Sequence, residues 1–313
     1  MISFITRRLA AGVVVLFAVS TVTFFLLYFS SANVAREILG DNATAEQVEL
    51  KKKALGLDQP LMSRYWAWLK DALQGQFGAS WFSGRSVTDS IMSRLPATMS
   101  VVLVTIIVVA IVSVLIGVAA AVRRGWVDRG LQVVSISGAA VPQFVVAIVI
   151  VSVFAIRLRW FPATGYERWS DGPGLWAASI TLPVLALTVS GVASTAQQVR
   201  SSTIKVLEMD YIRTLRSRGL GSSEVLFRHA LRGASPAGLT VLSLHFISIL
   251  GGVVVIEQIF ALPGIGFLAL ESTTRGDMPV LMGVVVYTVI LVVVINLLVD
   301  LAVGWLNPKA RVS

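Results

Sequence analysis

The chain has 313 residues, 56% of them hydrophobic and 14% charged, with a mean hydropathy of +0.81; an ordinary soluble domain is about a quarter charged, so this composition belongs in a bilayer. It contains no cysteine and two histidines, which removes disulfide frameworks, thiolate metal sites, cysteine nucleophiles and multi-histidine metal centres. The formal charge of +9 does not point to nucleic acid, because Lys and Arg accumulate in the cytoplasmic loops of polytopic membrane proteins.

A span needs about 20 mostly apolar residues, since a helix rises about 1.5 Å per residue across about 30 Å of hydrocarbon. Six stretches qualify: residues 9–29, 97–122, 131–156, 178–199, 237–256 and 280–303. The first comes after Arg7 and Arg8 in the charge order of a signal peptide, but it is long enough to span and no small-residue cleavage pattern closes it, so it is expected to stay as a helix. An even number of spans puts both termini on one side. Arg7, Arg8, Arg123, Arg124, Arg129, the basic residues from Arg200 to Arg232, Lys309 and Arg311 then share that side, against Arg157, Arg159, Arg168 and Arg275 opposite. Both termini are therefore expected in the cytoplasm.

Residues 30–96 form a long external segment, of which 43–57 have helical character, while Tyr65, Trp66, Trp68, Phe77, Trp81 and Phe82 supply aromatic mass for packing against the membrane surface or the rest of the chain. Trp160, Phe161 and Trp169 read as interfacial anchors beyond the third span. This divides the chain into an N-terminal helix with its external loop (1–96), a transmembrane core (97–306) and a short cytoplasmic tail (307–313).

Pro142 and Gln143 interrupt the third span and Pro183 lies early in the fourth; such breaks free backbone groups and mark either a pathway or a kink. Ionisable groups in hydrocarbon cost a few kcal/mol on insertion scales, so three residues need a reason. Glu257 ends the fifth span, facing a pathway or capping the loop that starts at Phe260. His245 sits mid-span with either a packing or a pathway role. Asp300 near the end of the sixth has a structural partner as its simpler role. Gly251 and Gly252 permit close helix approach.

The most informative stretch is 199–240, between the fourth and fifth spans. Two short helical patterns are separated by Gly219-Leu220-Gly221, where the backbone turns without a Cβ penalty. Val206, Leu207, Tyr211, Ile212 and Leu215 before the break, and Val225, Leu226 and Leu231 after it, recur at helical spacing. A cytoplasmic helix pair with one apolar and one basic face suits docking into a groove on a partner. The same charge pattern also fits a solvated basic loop that only fixes topology. No phosphate-binding loop of the Gly-x-x-x-x-Gly-Lys-Ser/Thr type and no protease constellation occurs, so the chain is expected not to be an enzyme.

The segment resembles the coupling loop of binding-protein-dependent ATP-driven importers, in the form of the dipeptide and oligopeptide permease branch. Asp210-Tyr211-Ile212-Arg213-Thr214 leads into Leu215-Arg216-Ser217-Arg218-Gly219-Leu220, with the later proline at Pro236. Trp160 to Tyr166, Glu257 to Gly266 and Asn296 to Asp300 are similar to other stretches of that family, as are Ile5 to Leu9, Leu55 to Leu61 and Ser86 to Thr98. Ser30 to Val34 and Gly75 to Gly78 depart from its external-loop pattern.

The resemblance implies an all-α protein of the cell inner or plasma membrane, with six transmembrane helices in a type I importer permease fold. It implies di- or oligopeptide substrates, with nickel, glutathione or another small solute as alternatives inside the family. A proton-coupled secondary transporter is the alternative outside it. No cofactor is expected on this chain; ATP and Mg belong to one or two partner ATPase subunits. A second homologous permease and an external solute-binding protein complete the expected assembly. Carried onto this sequence, the ATPase-coupling residues are Val206, Leu207, Glu208, Asp210, Tyr211, Arg213, Thr214, Arg216, Gly219, Leu220 and Pro236, within a loop at 205–236. Candidate translocation-path residues are Glu257, His245, Gln143 and Asp300.

Overall fold

The computed structural model describes residues 2–30, 34–123 and 125–306. Residues 1, 31–33, 124 and 307–313, the expected tail among them, lie outside the described residues.

Helices alone make up the regular structure of the described residues, apart from one isolated bridge between Ala79 and Ser86. In chain order they are α1 (Ile2–Ser30), α2 (Val34–Leu39), α3 (Ala45–Ala54), α4 (Leu61–Leu73), α5 (Val87–Val122), α6 (Trp126–Ala140) and α7 (Gln143–Ile150). A π-helical stretch Val151–Arg157 continues α7. Then come α8 (Pro173–Leu207), α9 (Asp210–Ser217), α10 (Ser222–Glu224), a second π stretch Val225–Ala230, α11 (Leu231–Ile259), α12 (Ile265–Arg275) and α13 (Met278–Leu306).

Five helical segments are long and apolar enough to cross a membrane: Ile5–Tyr28, Val87–Val122, Pro173–Leu207, Ser222–Ile259 and Met278–Trp305. The third expected span, 131–156, is not one helix. Proline has no N–H and its ring disfavours the helical region for the residue before it, so Val141 is extended at ψ 121° and Pro142 begins a new helix. The second span starts at Val87 rather than at 97 and runs through Pro96.

The chain divides into two compact units. In the first, residues 1–6, 99–262 and 294–313, α8 is the central helix. Small residues let neighbours approach it closely: a Cβ on Gly117 would come within 2.7 Å of the Ala196 carbonyl, and Gly138 faces Ala193. Ser135 Oγ donates to the Ala193 carbonyl at 3.0 Å, a hydroxyl on α6 reaching the backbone of α8. Near Trp176, its Nε1 donates to Ser100 Oγ at 3.0 Å, and Ser100 shares a 3.1 Å bond with the Tyr166 hydroxyl.

The second unit, residues 7–98 and 263–293, has two buried clusters. Phe24, Tyr65, Met278 and Met282 form one; Val87, Ile91, Ile265, Leu268, Val280 and Val284 form the other. α3 opens on a capping box in which the Thr44 and Gln47 side chains each accept from the other's backbone N–H. The buried Asp277 carboxylate accepts from Ser80 Oγ at 2.5 Å and from the Trp81 N–H at 3.2 Å, pinning the turn before α5 to the start of α13. At the N-terminus of α12, Thr98 Oγ1 accepts from the Ile265 N–H at 2.8 Å, satisfying one of the donors a helix start leaves open.

Candidate functional site

The site is built where α8 ends, within the first unit. Its last turn carries Val206 and Leu207; Glu208 then leaves the helix, and Met209 at ψ 147° turns the chain into α9. Asp210 occupies the first turn of α9 and Arg216 the last, each matching the sign of the helix dipole at its end. Ile212 is buried and Leu215 half-buried, whereas Asp210, Tyr211, Arg213, Thr214 and Arg216 are exposed. Arg213 Nη1 lies 3.5 Å from Asp210 Oδ1, but these side chains are 75% and 96% exposed, so the pair adds little to stability. Asp210, Arg213 and Arg216 on the polar face of α9 thus carry little of its packing.

The C-terminal end of α9 is locked in place by its own backbone. The Leu220 N–H donates to the Leu215 carbonyl at 3.3 Å and the Gly219 N–H to the Arg216 carbonyl at 3.0 Å. Together with φ +84° at Gly219, these bonds make a Schellman motif, and the side chains of Leu215 and Leu220 join the same apolar cluster. That cluster has Val206, Ile212, Val225, Ala230 and Ala234 at its centre. The end of α8, α9 and the start of the next long helix therefore share one small core.

The expected helix pair is corrected in one respect. The second pattern is not a free-standing helix, because Ser222–Ile259 runs as one continuous helical segment into the fifth span. Neither Gly233 nor Pro236 stops it. Gly233 is where Val206 and the Tyr211 hydroxyl pack, at 3.2 and 3.4 Å from where a Cβ would stand. Pro236 cannot donate to the Arg232 carbonyl, and Ser235 Oγ takes over that acceptor at 3.0 Å. Displacement of α9 would thus act on the foot of a helix that crosses the membrane.

Leu207, Glu208, Arg213 and Arg216, together with Ala121, Ser222 and Leu226, line a recess of about 590 Å³ at the end of α5. Close by in sequence, Arg200 on α8 grips Asp128 on α6 through two contacts, Nε to Oδ1 and Nη2 to Oδ2, the latter 2.7 Å. Gln132 Nε2 also reaches Asp128, at 3.3 Å. By charge pattern alone Arg200 is only one more cation of a basic stretch. No local spacing could reveal its partner 72 residues away.

Of the candidate pathway residues, Gln143 and His245 meet the same turn of α8. Gln143 Nε2 donates to Ser190 Oγ at 2.9 Å, and its Oε1 abuts Gly252. His245 packs against Gly191, the residue after Ser190, and its Nε2 is buried without a hydrogen-bond partner among the described residues. Glu257 lies about 18 Å further along the same helix, fully buried, with its carbonyl accepting from the Leu262 N–H at 2.8 Å. Asp300 is half-buried on α13, one turn beyond Asn296, whose Oδ1 accepts from Ser243 Oγ at 2.5 Å. Among the described residues no group of three or more His, Cys, Asp or Glu side chains is placed to hold a metal.

The Gly191 contact gives a prediction. A Cβ on Gly191 would run into the His245 imidazole, and overpacking of this kind typically costs 1–3 kcal/mol. Gly191→Ala should lose about 2 kcal/mol in mixed-micelle unfolding, and adding His245→Ala should restore part of it. An unchanged unfolding midpoint for the single variant would mean that α8 and α11 do not meet there.

Comparison with known proteins bears on what this arrangement serves. Residues 113–312 match the family described as the binding-protein-dependent transport system inner membrane component, and residues 1–102 match its N-terminal counterpart. The chain belongs to that family. It is the membrane-embedded permease component of an ATP-driven importer rather than an enzyme, and membership implies ATPase and substrate-binding protein partners.

A Brucella abortus protein named as a peptide transport system permease is 37% identical to this permease over 312 residues, 99% of each chain. A Sinorhizobium fredii protein named as a peptide ABC transporter permease is 38% identical over 309 residues, 98% of this chain and 99% of the relative. The glutathione transport system permease of Escherichia coli is 33% identical over 99% of each chain. Among solved structures, a chain of the inward-facing MetNI methionine transporter superposes with a TM-score of 0.56 at 16% identity, covering 67% of this permease and 93% of that chain. That likeness concerns the fold alone.

Proposed function

We propose that this permease translocates di- or oligopeptides, driven by separate ATPase subunits that dock on α9 and the recess beside it. The observation that carries the docking assignment is the division of labour in α9. Ile212 and Leu215 hold it in a core shared with the ends of two long helices, while Asp210, Arg213 and Arg216 are exposed. A helix held this way transmits displacement as a rigid body, and two states of the ATPases bias two positions of the helices it joins. The peptide assignment rests on full-length relatives named for peptide transport, at 37% and 38% identity. Glutathione, the substrate in the name of a third relative, is itself a tripeptide and belongs to the same chemical class.

In this reading both termini are cytoplasmic, α6 with α7 and its π-helical continuation supplies the sixth crossing, and a homologous permease forms the other half of the pathway. Residues 1–96 carry the first helix and the external loop, and 97–306 the core. Mg and ATP are held by the partner ATPases. Gln143, His245, Glu257 and Asp300 are the polar groups available to a passing peptide when the helices rearrange. Pro236 shapes the foot of the long helix rather than touching the ATPase itself.

Gentle affinity purification of the tagged native complex tests this assignment, with mass spectrometry of the protein partners and of any ligand carried by the binding protein. A second permease, one or two ATPase subunits and a solute-binding protein carrying peptide are expected. Recovery of the chain alone, still active in vesicles without ATP, would overturn the coupling assignment. A non-peptide ligand would overturn the substrate class while leaving the docking intact.

A further inference from the structure

We propose that α4 is an in-plane membrane-interface helix whose exposed stripe of Met62, Trp66 and Leu73 rests in the lipid of the outer leaflet. The proposal rests on α1 being a span, and it concerns a surface that peptide transport leaves unexplained. Depth is the first argument. Tyr65 shares a 2.8 Å hydrogen bond with Thr21 of α1, and its ring stands 5.3 Å from Phe24 and 5.6 Å from Phe25. The apolar run of α1 continues to residue 29, so Phe24 lies about 7.5 Å inside its end at 1.5 Å per residue. Tyr65 of α4 is thereby held near the boundary between hydrocarbon and headgroups rather than in bulk water.

The face it presents there is the second argument. At 100° per residue, Leu61, Tyr65, Trp68 and Leu69 point into the second unit's core. Met62, Trp66 and Leu73 fall within an arc of about 40° directly beside them, yet they are 57%, 62% and 81% exposed. Ser63, Lys70 and Asp71 occupy the opposite side. The apolar sector is therefore one continuous surface, half covered by protein and half uncovered.

The third argument is continuity. Val22 and Leu26 of α1, at the same level, are also exposed apolar side chains, and in a span they meet acyl chains. An amphipathic helix with a Trp on its apolar face, sunk about 5–10 Å into the boundary, is the arrangement lipid favours. A soluble protein approaching from outside would reach the polar side of α4 instead.

The absence of cysteine from the chain makes a clean test available. Single variants Met62→Cys, Trp66→Cys and Leu73→Cys, with Ser63→Cys and Lys70→Cys from the polar side and Val22→Cys from α1, are spin-labelled in the full-length permease. Each is placed in nanodiscs of phosphatidylethanolamine and phosphatidylglycerol. At positions 62, 66 and 73 the ratio of collision with oxygen to collision with a water-soluble nickel chelate should match that at 22 and exceed that at 63 and 70 several-fold. Chelate access at 66 and 73 with position 22 still in lipid would overturn the proposal alone. Chelate access at 22 would overturn the span reading with it. Protection of 66 from both reagents would mean that protein covers the stripe, and would likewise overturn lipid as its occupant.

Discussion

Gly219→Val is expected to abolish uptake while the permease remains inserted and assembled with its partners. At φ +84° an L-residue in the left-handed region costs about 1–2 kcal/mol, and a β-branched one is a genuine outlier there. Nothing lies within 4 Å of where a Cβ would stand, so the penalty comes from the backbone and not from a clash. The chain escapes it by giving up the Schellman bonds from Leu220 and Gly219, which releases the last turn of α9 and the Leu215–Leu220 contact. Gly219→Asn separates this account from direct contact with the ATPase, because asparagine tolerates the left-handed conformation and should keep substantial uptake. Asp210→Ala and Arg213→Ala, on the exposed face, should also abolish uptake, but without any change in unfolding. Peptide uptake in cells, set against the amount of complex recovered, reads all four variants. Normal uptake with Gly219→Val would remove the rigid-helix account of coupling.

Asp128→Ala is expected to have the largest effect on stability. The Arg200 and Asp128 side chains are 17% and 16% exposed; deleting one member of a buried pair typically costs 3–5 kcal/mol, and partial exposure together with the second donor to Asp128, Gln132, sets this pair at the lower end. A loss of about 3 kcal/mol in mixed-micelle unfolding is the expected result for Asp128→Ala or Arg200→Ala. The double variant should lose less than the sum, with a coupling of about 1–3 kcal/mol. Asp128 also sits in the first turn of α6, so its removal gives up a small dipole contribution as well. A single-variant loss under about 0.5 kcal/mol, in the range of exposed pairs, would show that solvent reaches the pair. The pair joins the start of α6 to α8 about 10 Å before the coupling turn, so its loss should also weaken uptake.

Much of the site was legible before any geometry. A glycine between two helical patterns announces a left-handed turn, and Gly219 adopts one. The helical spacing of Val206, Ile212, Leu215 and Val225 marked one apolar face, but read alone it suited a groove on a partner; the structure turns that face inward, into a core these residues share. The extent of the second helix was not legible, because its natural stops are neutralised in three dimensions. Gly233 is a contact position for Val206 and Tyr211, and the carbonyl that Pro236 leaves open is taken by Ser235. The third span shows the converse case. Pro142 was visible as an interruption, but whether a proline kinks a helix or ends it depends on what surrounds it, and here Val141 leaves the helical region altogether.

By itself, then, the sequence determined the solvent, the class and the trade of this protein. Composition places it in a bilayer, the apolar runs mark its spans, and the stretch around Asp210 and Gly219 resembles the coupling loop of importer permeases, which implies a permease moved by another chain. These are local or summed properties, set by side-chain chemistry within a few helical turns. Only the tertiary structure decided which polar groups hold the helices together: Asp128 with Arg200, Asp277 with Ser80, and Thr98 with the Ile265 N–H. Their partners are 72, 197 and 167 residues apart. A hydrogen bond or ion pair needs its atoms within about 3 Å, and no periodicity along the chain encodes which distant helices will meet.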